Sequence, residues 1–315
     1  LLFFLAYGEK VYTEKAIKEG RFVVKKYEFY IVDVFAEKKY SGNQLAVVLG
    51  AGDLSKEDME SITREMNYSE TTFILNHSPV NGGYPARIFT PGGEVPFAGH
   101  PTLGTAAVIA REIAPGNPDF ITLNLQVGPI PVMRKDHLYI MKQNQPEFGP
   151  VYPPEDLARV LSIDAKEIET GAPVQWVSTG LPTVIVPLKR REVLSRICIN
   201  RNEYEDFIER MGKVAISIYC KEPIHRHNHL HVRVLTSCFG VEEDPATGSS
   251  GGCLAAYLVR HKVMGASVIE DVRVEQGYSL QRPSLLFLSA SDQDGGKIDV
   301  HVGGSVIFVA KGELI

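Results

Sequence analysis

The chain of 315 residues is short of several things, and each shortage excludes something. It has four cysteines, Cys198, Cys220, Cys238 and Cys253, and no C-x-x-C pair. That argues against a disulfide framework or a cysteine zinc site, and a reducing, cytoplasmic setting is expected. It has no polybasic stretch, and its formal net charge is -5. No nucleic-acid or anionic-membrane partner is expected. Long apolar runs are missing too. The opening LLFFLAYGEK is apolar for seven residues, too few to span a bilayer, and has no basic lead-in. Residues 1–26 are therefore expected to be an N-terminal extension rather than a signal peptide.

A weak internal repeat is present. SGNQLAVVLGAGDLSKEDMESITREMNYSETTFIL reads as a glycine turn, a strand, a helix and a β-branched strand. Ser55, with Asp58 three residues on, predicts the helix start, and Met59, Ile62 and Met66 mark one face. The later STGLPTVIVPL…NEYEDFIERMGKVAISIYC repeats that order, with Tyr204, Phe207, Ile208 and Met211 on its helix. Arg87-Ile88-Phe89-Thr90 then matches Arg233-Val234-Leu235-Thr236. Gly42 to Gly180 is 138 positions and Pro101 to Pro245 is 144, so two motifs recur nearly in register.

Many strands with few helices predict an α+β fold of two similar domains related by internal pseudo-symmetry. Each is a curved, mostly antiparallel sheet or barrel around a central helix. The first domain is expected over residues 27–145, with a strand at about 303–315 returning to it. The second is expected over 151–302. The proline-rich Gln143–Asp156 is read as the linker.

Two turns, PFAGHPTLGTAAVIA and VEEDPATGSSGGCLAAYLV, have similar shapes. Pro101 and Pro245 each sit where a helix can begin. The small residues that follow predict helices enclosed by sheet. Two helix N-termini facing one cleft would form an anion site suited to a carboxylate. Asp244 also reads as a simple N-cap, whereas His100 is a poor cap and needs another reason. Glu70 lies where a helix ends and a strand starts. It is either a solvated strand-end residue or a buried acid/base whose pKa burial would raise.

The segments DVFAEKKYSGNQLAVVL, REMNYSETTFIL, ARIFTPGGEVPFAGHPTLGTA and EDPATGSS together resemble the phenazine-biosynthesis PhzF-like family, which shares the diaminopimelate epimerase-like fold. The resemblance runs from about Tyr27 to the C-terminus. It implies two similar domains with the active site between them, and a cofactor-independent, metal-free isomerisation in which Glu70 shuttles a proton. It also implies substrate contacts at Ser69, Gly99, His100, Asp244, Gly248 and Ser249. His100 and Asp244 would hold an amino or hydroxyl group and share a proton, while Gly248 and Ser249 would hold a carboxylate.

The epimerases of this fold use two facing cysteines. Here the tips carry Gly99-His100 and Asp244, and Cys253 reads as packing, so two-thiol racemisation is disfavoured. One departure is VLTSCFGVEED, which lacks the family's usual Phe-x-Pro segment before Asp244. The expected partner is a small amino- or hydroxy-carboxylic acid, and a homodimer is a reasonable assembly. An epimerase or dehydratase on the same site, or a non-catalytic binding or scaffold protein, are the competing readings. His225, His227, His229 and His231 lie two apart, but no carboxylate or cysteine adjoins them in sequence, so a metal site is not expected.

Overall fold

A computed structural model describes residues 25–293 and 296–315. The expected extension falls almost wholly outside the described residues. Strands β1 (Tyr27–Val34), β2 (Asn43–Val48), β3 (Thr71–Ile74) and β4 (Tyr84–Thr90) pair in that order. Helix α1 (Lys56–Met66) joins β2 to β3, and Ser55 caps it by accepting from the Asp58 amide, as its sequence predicts. The short β5 (Gly93–Val95) hairpins onto β4.

Helix α2 (Gly99–Val108) follows and runs on as a π turn over Ile109–Ile113. Strands β6 (Phe120–Leu125), β7 (Gly128–Lys135) and β8 (Leu138–Lys142) complete the first sheet. The last strand, β17 (Lys297–Leu314), pairs with β8 through His301–Ser305 and with β1 through Val306–Leu314. These contacts close an eight-stranded barrel of β1–β4, β6–β8 and β17. Every residue of α2 from His100 to Val108 is buried inside it. Small side chains let a helix sit that close to surrounding strands.

The second sheet starts with β9 (Glu147–Tyr152), inside the stretch expected to be a linker. Gly149 and Pro150 made this segment look like a connection. However, β9 pairs with β10 (Val174–Ser178), and among the described residues it has no second neighbour. Proline is tolerated on such an edge strand. Helix α3 (Pro154–Leu161) comes between β9 and β10. Strands β11 (Pro182–Leu188), β12 (Ala215–Cys220) and β13 (Leu230–Thr236) repeat the β2–β3–β4 pattern, one parallel pair followed by an antiparallel one. Helices α4 (Arg191–Arg196) and α5 (Arg201–Met211) lie between β11 and β12.

Strand β14 (Val241–Asp244) hairpins onto β13 and leads to helix α6 (Gly248–Arg260). Strands β15 (Val268–Gln276) and β16 (Ser284–Gln293) then return to the first part of β17. Helix α6 packs against β10, β11, β12, β15, β16 and β17, and is buried almost throughout. No helix among the described residues is long and apolar enough to cross a membrane.

Register corrects the matching of the two turns. Ile88 pairs with Val95 as Val234 pairs with Asp244, and Phe89 pairs with Glu94 as Leu235 pairs with Glu243. The counterpart of Asp244 is therefore Val95, and that of Pro245 is Pro96 rather than Pro101. Helix α2 starts at Gly99 and α6 at Gly248, so the prolines Pro101 and Pro245 do not begin them. Within that alignment His100 corresponds to Ser249. His100 and Asp244 are thus not alternative occupants of one position. The Gly42 and Gly180 turns do correspond, and both have positive φ.

Candidate active site

Each of the two hairpins is held by an arginine. Arg87 donates from Nε and Nη2 to the two oxygens of Glu94, at 2.7 and 2.7 Å. Arg233 repeats this with Glu243, at 3.1 and 2.8 Å. Such paired bonds fix direction as well as distance. They aim β5 and β14, and so the helix starts that follow them, at the junction of the two sheets.

There the first turns of α2 and α6 meet. A Cβ on Gly99 would lie 3.5 Å from the Ser249 amide nitrogen and 3.6 Å from Gly248 Cα. Neither start is capped by a side chain: the cap positions are Ala98 and Thr247. Neither has an acidic residue in its first turn. Two sets of backbone N–H groups therefore converge without a side-chain acceptor. Asp244 and His100 are not N-caps, so the simplest reading of these two residues fails.

Glu70 comes from the end of the loop after α1, immediately before β3. Its side chain is 17% exposed, yet Oε2 is fully buried and has no hydrogen-bond partner. That oxygen lies 3.4 Å from His100 Nε2, which is also buried and unpartnered. Burial, helped by the nearby Asp244 charge, pushes the Glu70 pKa up to about 8. Burial pushes His100 down to about 3, so its imidazole is neutral at physiological pH. Asp244 is raised to about 6 by burial, against the pull of bonds from Thr247 and Asn43.

Three residues not singled out in the sequence complete the cluster. Asn43, buried at the start of β2, donates to Asp244 Oδ1 at 2.8 Å and to the Ala246 carbonyl at 3.0 Å. The same nitrogen lies 3.3 Å from His100 Nδ1. Thr247 donates to Asp244 Oδ2 at 2.5 Å, and Gln276 donates to the Asp244 carbonyl at 2.8 Å. Asn43 had one legible signal: with Gln44 it stands directly before the apolar run of its strand, where the second repeat has Leu181. Gly99, next to His100, approaches Gly248 and Ser249 at the meeting of the two helix starts, and Ser69, half-buried, directly precedes Glu70. A cavity of about 540 Å³, walled by Arg191, Leu194, His231 and Tyr278 among others, contains none of these residues.

Cys253 is fully buried within α6, near Thr179 Oγ1 and the Leu181 carbonyl. The four histidines go to different tasks. His225 stacks on His227, His229 accepts from the Arg273 amide, and His231 lies 3.2 Å from the buried Glu275 carboxylate. A carboxylate does therefore adjoin the run in space. No group of three or more His, Cys, Asp or Glu among the described residues is placed to hold a metal.

Two curled sheets around enclosed helices, with titratable side chains where the helix starts meet, define a fold of the epimerase type. A probable proline racemase from Agrobacterium radiobacter shares that fold, with a TM-score of 0.58 at 10% identity, over 92% of this chain and 93% of its own. The family model for phenazine biosynthesis-like proteins, PhzC-PhzF, matches residues 32–312, and the chain belongs to that family.

A Bacillus anthracis phenazine biosynthesis protein of the PhzF family superimposes with a TM-score of 0.84 at 26% identity, covering 93% of this chain and all of its own. The trans-2,3-dihydro-3-hydroxyanthranilate isomerase of Pseudomonas aeruginosa is 31% identical over 291 residues, 91% of this chain and 98% of its own. An uncharacterized isomerase of Mesorhizobium japonicum is 30% identical over 308 residues, with the same two coverages. The chain is thus an enzyme of an isomerase family.

Proposed function

We propose that the protein isomerises a small amino- or hydroxy-carboxylic acid by moving a proton within it, with Glu70 as the acid/base. The observation that carries this is the facing pair of buried, unpartnered atoms, Glu70 Oε2 and His100 Nε2. Leaving two such atoms without partners costs stability, and sites retain them where a ligand completes the bonding. A carboxyl group with a pKa near 8 is matched to proton transfer near neutral pH.

In this reading the substrate carboxylate lies against the Gly248 and Ser249 amides at the uncapped start of α6. Asp244 and His100 hold the amino or hydroxyl group. The ionised Glu70 then takes a proton from a carbon beside an unsaturated system. The electron pair left behind is delocalised toward that system, and Glu70 returns the proton at another carbon. Proton count and charge balance without a net redox change.

The first acid to test is the one named for the Pseudomonas relative, trans-2,3-dihydro-3-hydroxyanthranilate. Product NMR separates the outcomes. A shifted double bond supports the proposal, whereas water loss or simple inversion would replace it with a lyase or an epimerase.

A further inference from the structure

Of the two carboxylates in the cluster, Asp244 is the one whose every oxygen is engaged, and the engagement has a direction. Gln276 ends β15 and is 2% exposed. Its amide nitrogen donates to the Asp244 carbonyl at 2.8 Å and to Thr247 Oγ1 at 3.0 Å. Its amide oxygen accepts from the Thr247 backbone N–H at 3.2 Å. A primary amide nitrogen donates and does not accept, so the threonine oxygen is the acceptor in that bond. The hydroxyl has one hydrogen left to give, and Asp244 Oδ2 is 2.5 Å away.

A threonine at a helix start would ordinarily turn its oxygen to the helix amides. Here that cap bond is absent. The chain leaves the α6 start without its usual cap while spending the hydroxyl on Asp244.

We propose that Gln276 is a positioning residue: by clamping Thr247 it aims the threonine hydrogen at Asp244 Oδ2 and holds Asp244 as an oriented carboxylate beside Glu70 and His100. The charged and titratable groups around Asp244 are few. Glu70 interacts with it from the entry to β3, and His100 of α2 lies against the same Asn43 nitrogen that binds Asp244. Glu243 precedes it on β14, with both oxygens already bound by Arg233 from β13. None of these donates to Asp244 Oδ2, so orientation of that oxygen falls to Thr247. The inference deepens the proton-transfer reading, because a displaced or protonated Asp244 would no longer oppose ionisation of Glu70.

The test is a carbon NMR titration of protein labelled at the aspartate carboxyl carbon. The Asp244 signal is identified by its loss in Asp244→Asn. In the native protein it should titrate at about 6. In Thr247→Val, which removes a bond favouring the charged form, and in Gln276→Met, which frees the hydroxyl that makes that bond, the midpoint should rise by about half a unit or more. Thr247→Ser should restore it. In the double variant Gln276→Met/Thr247→Val the shift should not exceed that of Thr247→Val alone.

An unchanged midpoint in Gln276→Met, or full additivity in the double variant, would overturn the proposal. If Gln276→Met does not fold, the near-isosteric Thr247→Val still decides, because an unchanged midpoint there removes the link through the hydroxyl. The titration needs no substrate, so its failure is distinct from failure of the isomerase reading.

Discussion

Glu70 is held in a state the unfolded chain does not share, and that has a measurable signature. Its pKa rises from an ordinary 4.5 to about 8 on folding. The fold therefore favours the protonated acid. Glu70's unfavourable contribution is absent below about pH 4.5, grows as pH rises, and levels off above about pH 8. Glu70→Gln should then unfold at a higher temperature than the native protein at pH 8, with the gap closing toward pH 4, as thermal melts would show.

Activity should move the other way. The ionised carboxylate is the base, so kcat/KM should climb with pH to a plateau above about 8 and fall on the acid side. Rates at saturating and limiting substrate across that range would check it; a profile flat below pH 8 would contradict the assignment. Because Glu70 and Asp244 interact, the two apparent values belong to the pair. From the sequence Glu70 was ambiguous, since a glutamate at a strand entry is usually solvated. What decides is the depth of Oε2 and the imidazole 3.4 Å away, and neither is written in local sequence.

Between elements, the α2 and α6 starts and the hairpins that aim them were partly legible. Small residues after Gly99 and Gly248 marked enclosed helices. The Arg87 and Arg233 strands match in sequence, but their partners Glu94 and Glu243 do not align, because a cross-strand ion pair has no fixed sequence spacing. Strand β15 has a weak signal in sequence because Glu270 and Asp271 interrupt its apolar pattern. The structure puts a register shift there, with Asp271 at φ 52°.

After β15, Gly277 turns with φ +78°. A Cβ there would sit 2.3 Å from the Arg282 carbonyl oxygen and 2.5 Å from that of Pro245. Backbone atoms cannot give way as side-chain ends do. Gly277→Ala should lower unfolding stability by about 2 kcal/mol or more in a urea titration. A loss below a few tenths would mean the turn is looser than described.

Across the whole molecule, one segment of the second sheet reaches the first. Arg282 donates to Asp33 Oδ1 at 2.6 Å, to the Ser41 carbonyl at 2.7 Å and to the Gly42 carbonyl at 3.0 Å. Asp33 is 2% exposed. Gly42 adjoins Asn43, which binds Asp244. The route Gln276–Asp244–Asn43–Gly42–Arg282 thus runs from the second sheet to the first and back. Arg282→Ala should cost about 3 kcal/mol, because it leaves a buried carboxylate short of a partner, and Arg282→Lys should cost less. Chemical denaturation of the two variants measures both. The repeat made the pseudo-symmetric plan visible from sequence. The sharing of β17 by both sheets and the Arg282 contact are long-range pairings, and no local pattern announces them.

The central claim is that Glu70 moves the proton, and hydrogen exchange tests it most directly. The protein is incubated in heavy water with the amino- and hydroxy-bearing acid named above, and deuterium in the product is followed by NMR. The account predicts incorporation with the native enzyme and a loss of about a hundredfold or more with Glu70→Gln. Incorporation that continues undiminished in that variant would contradict it.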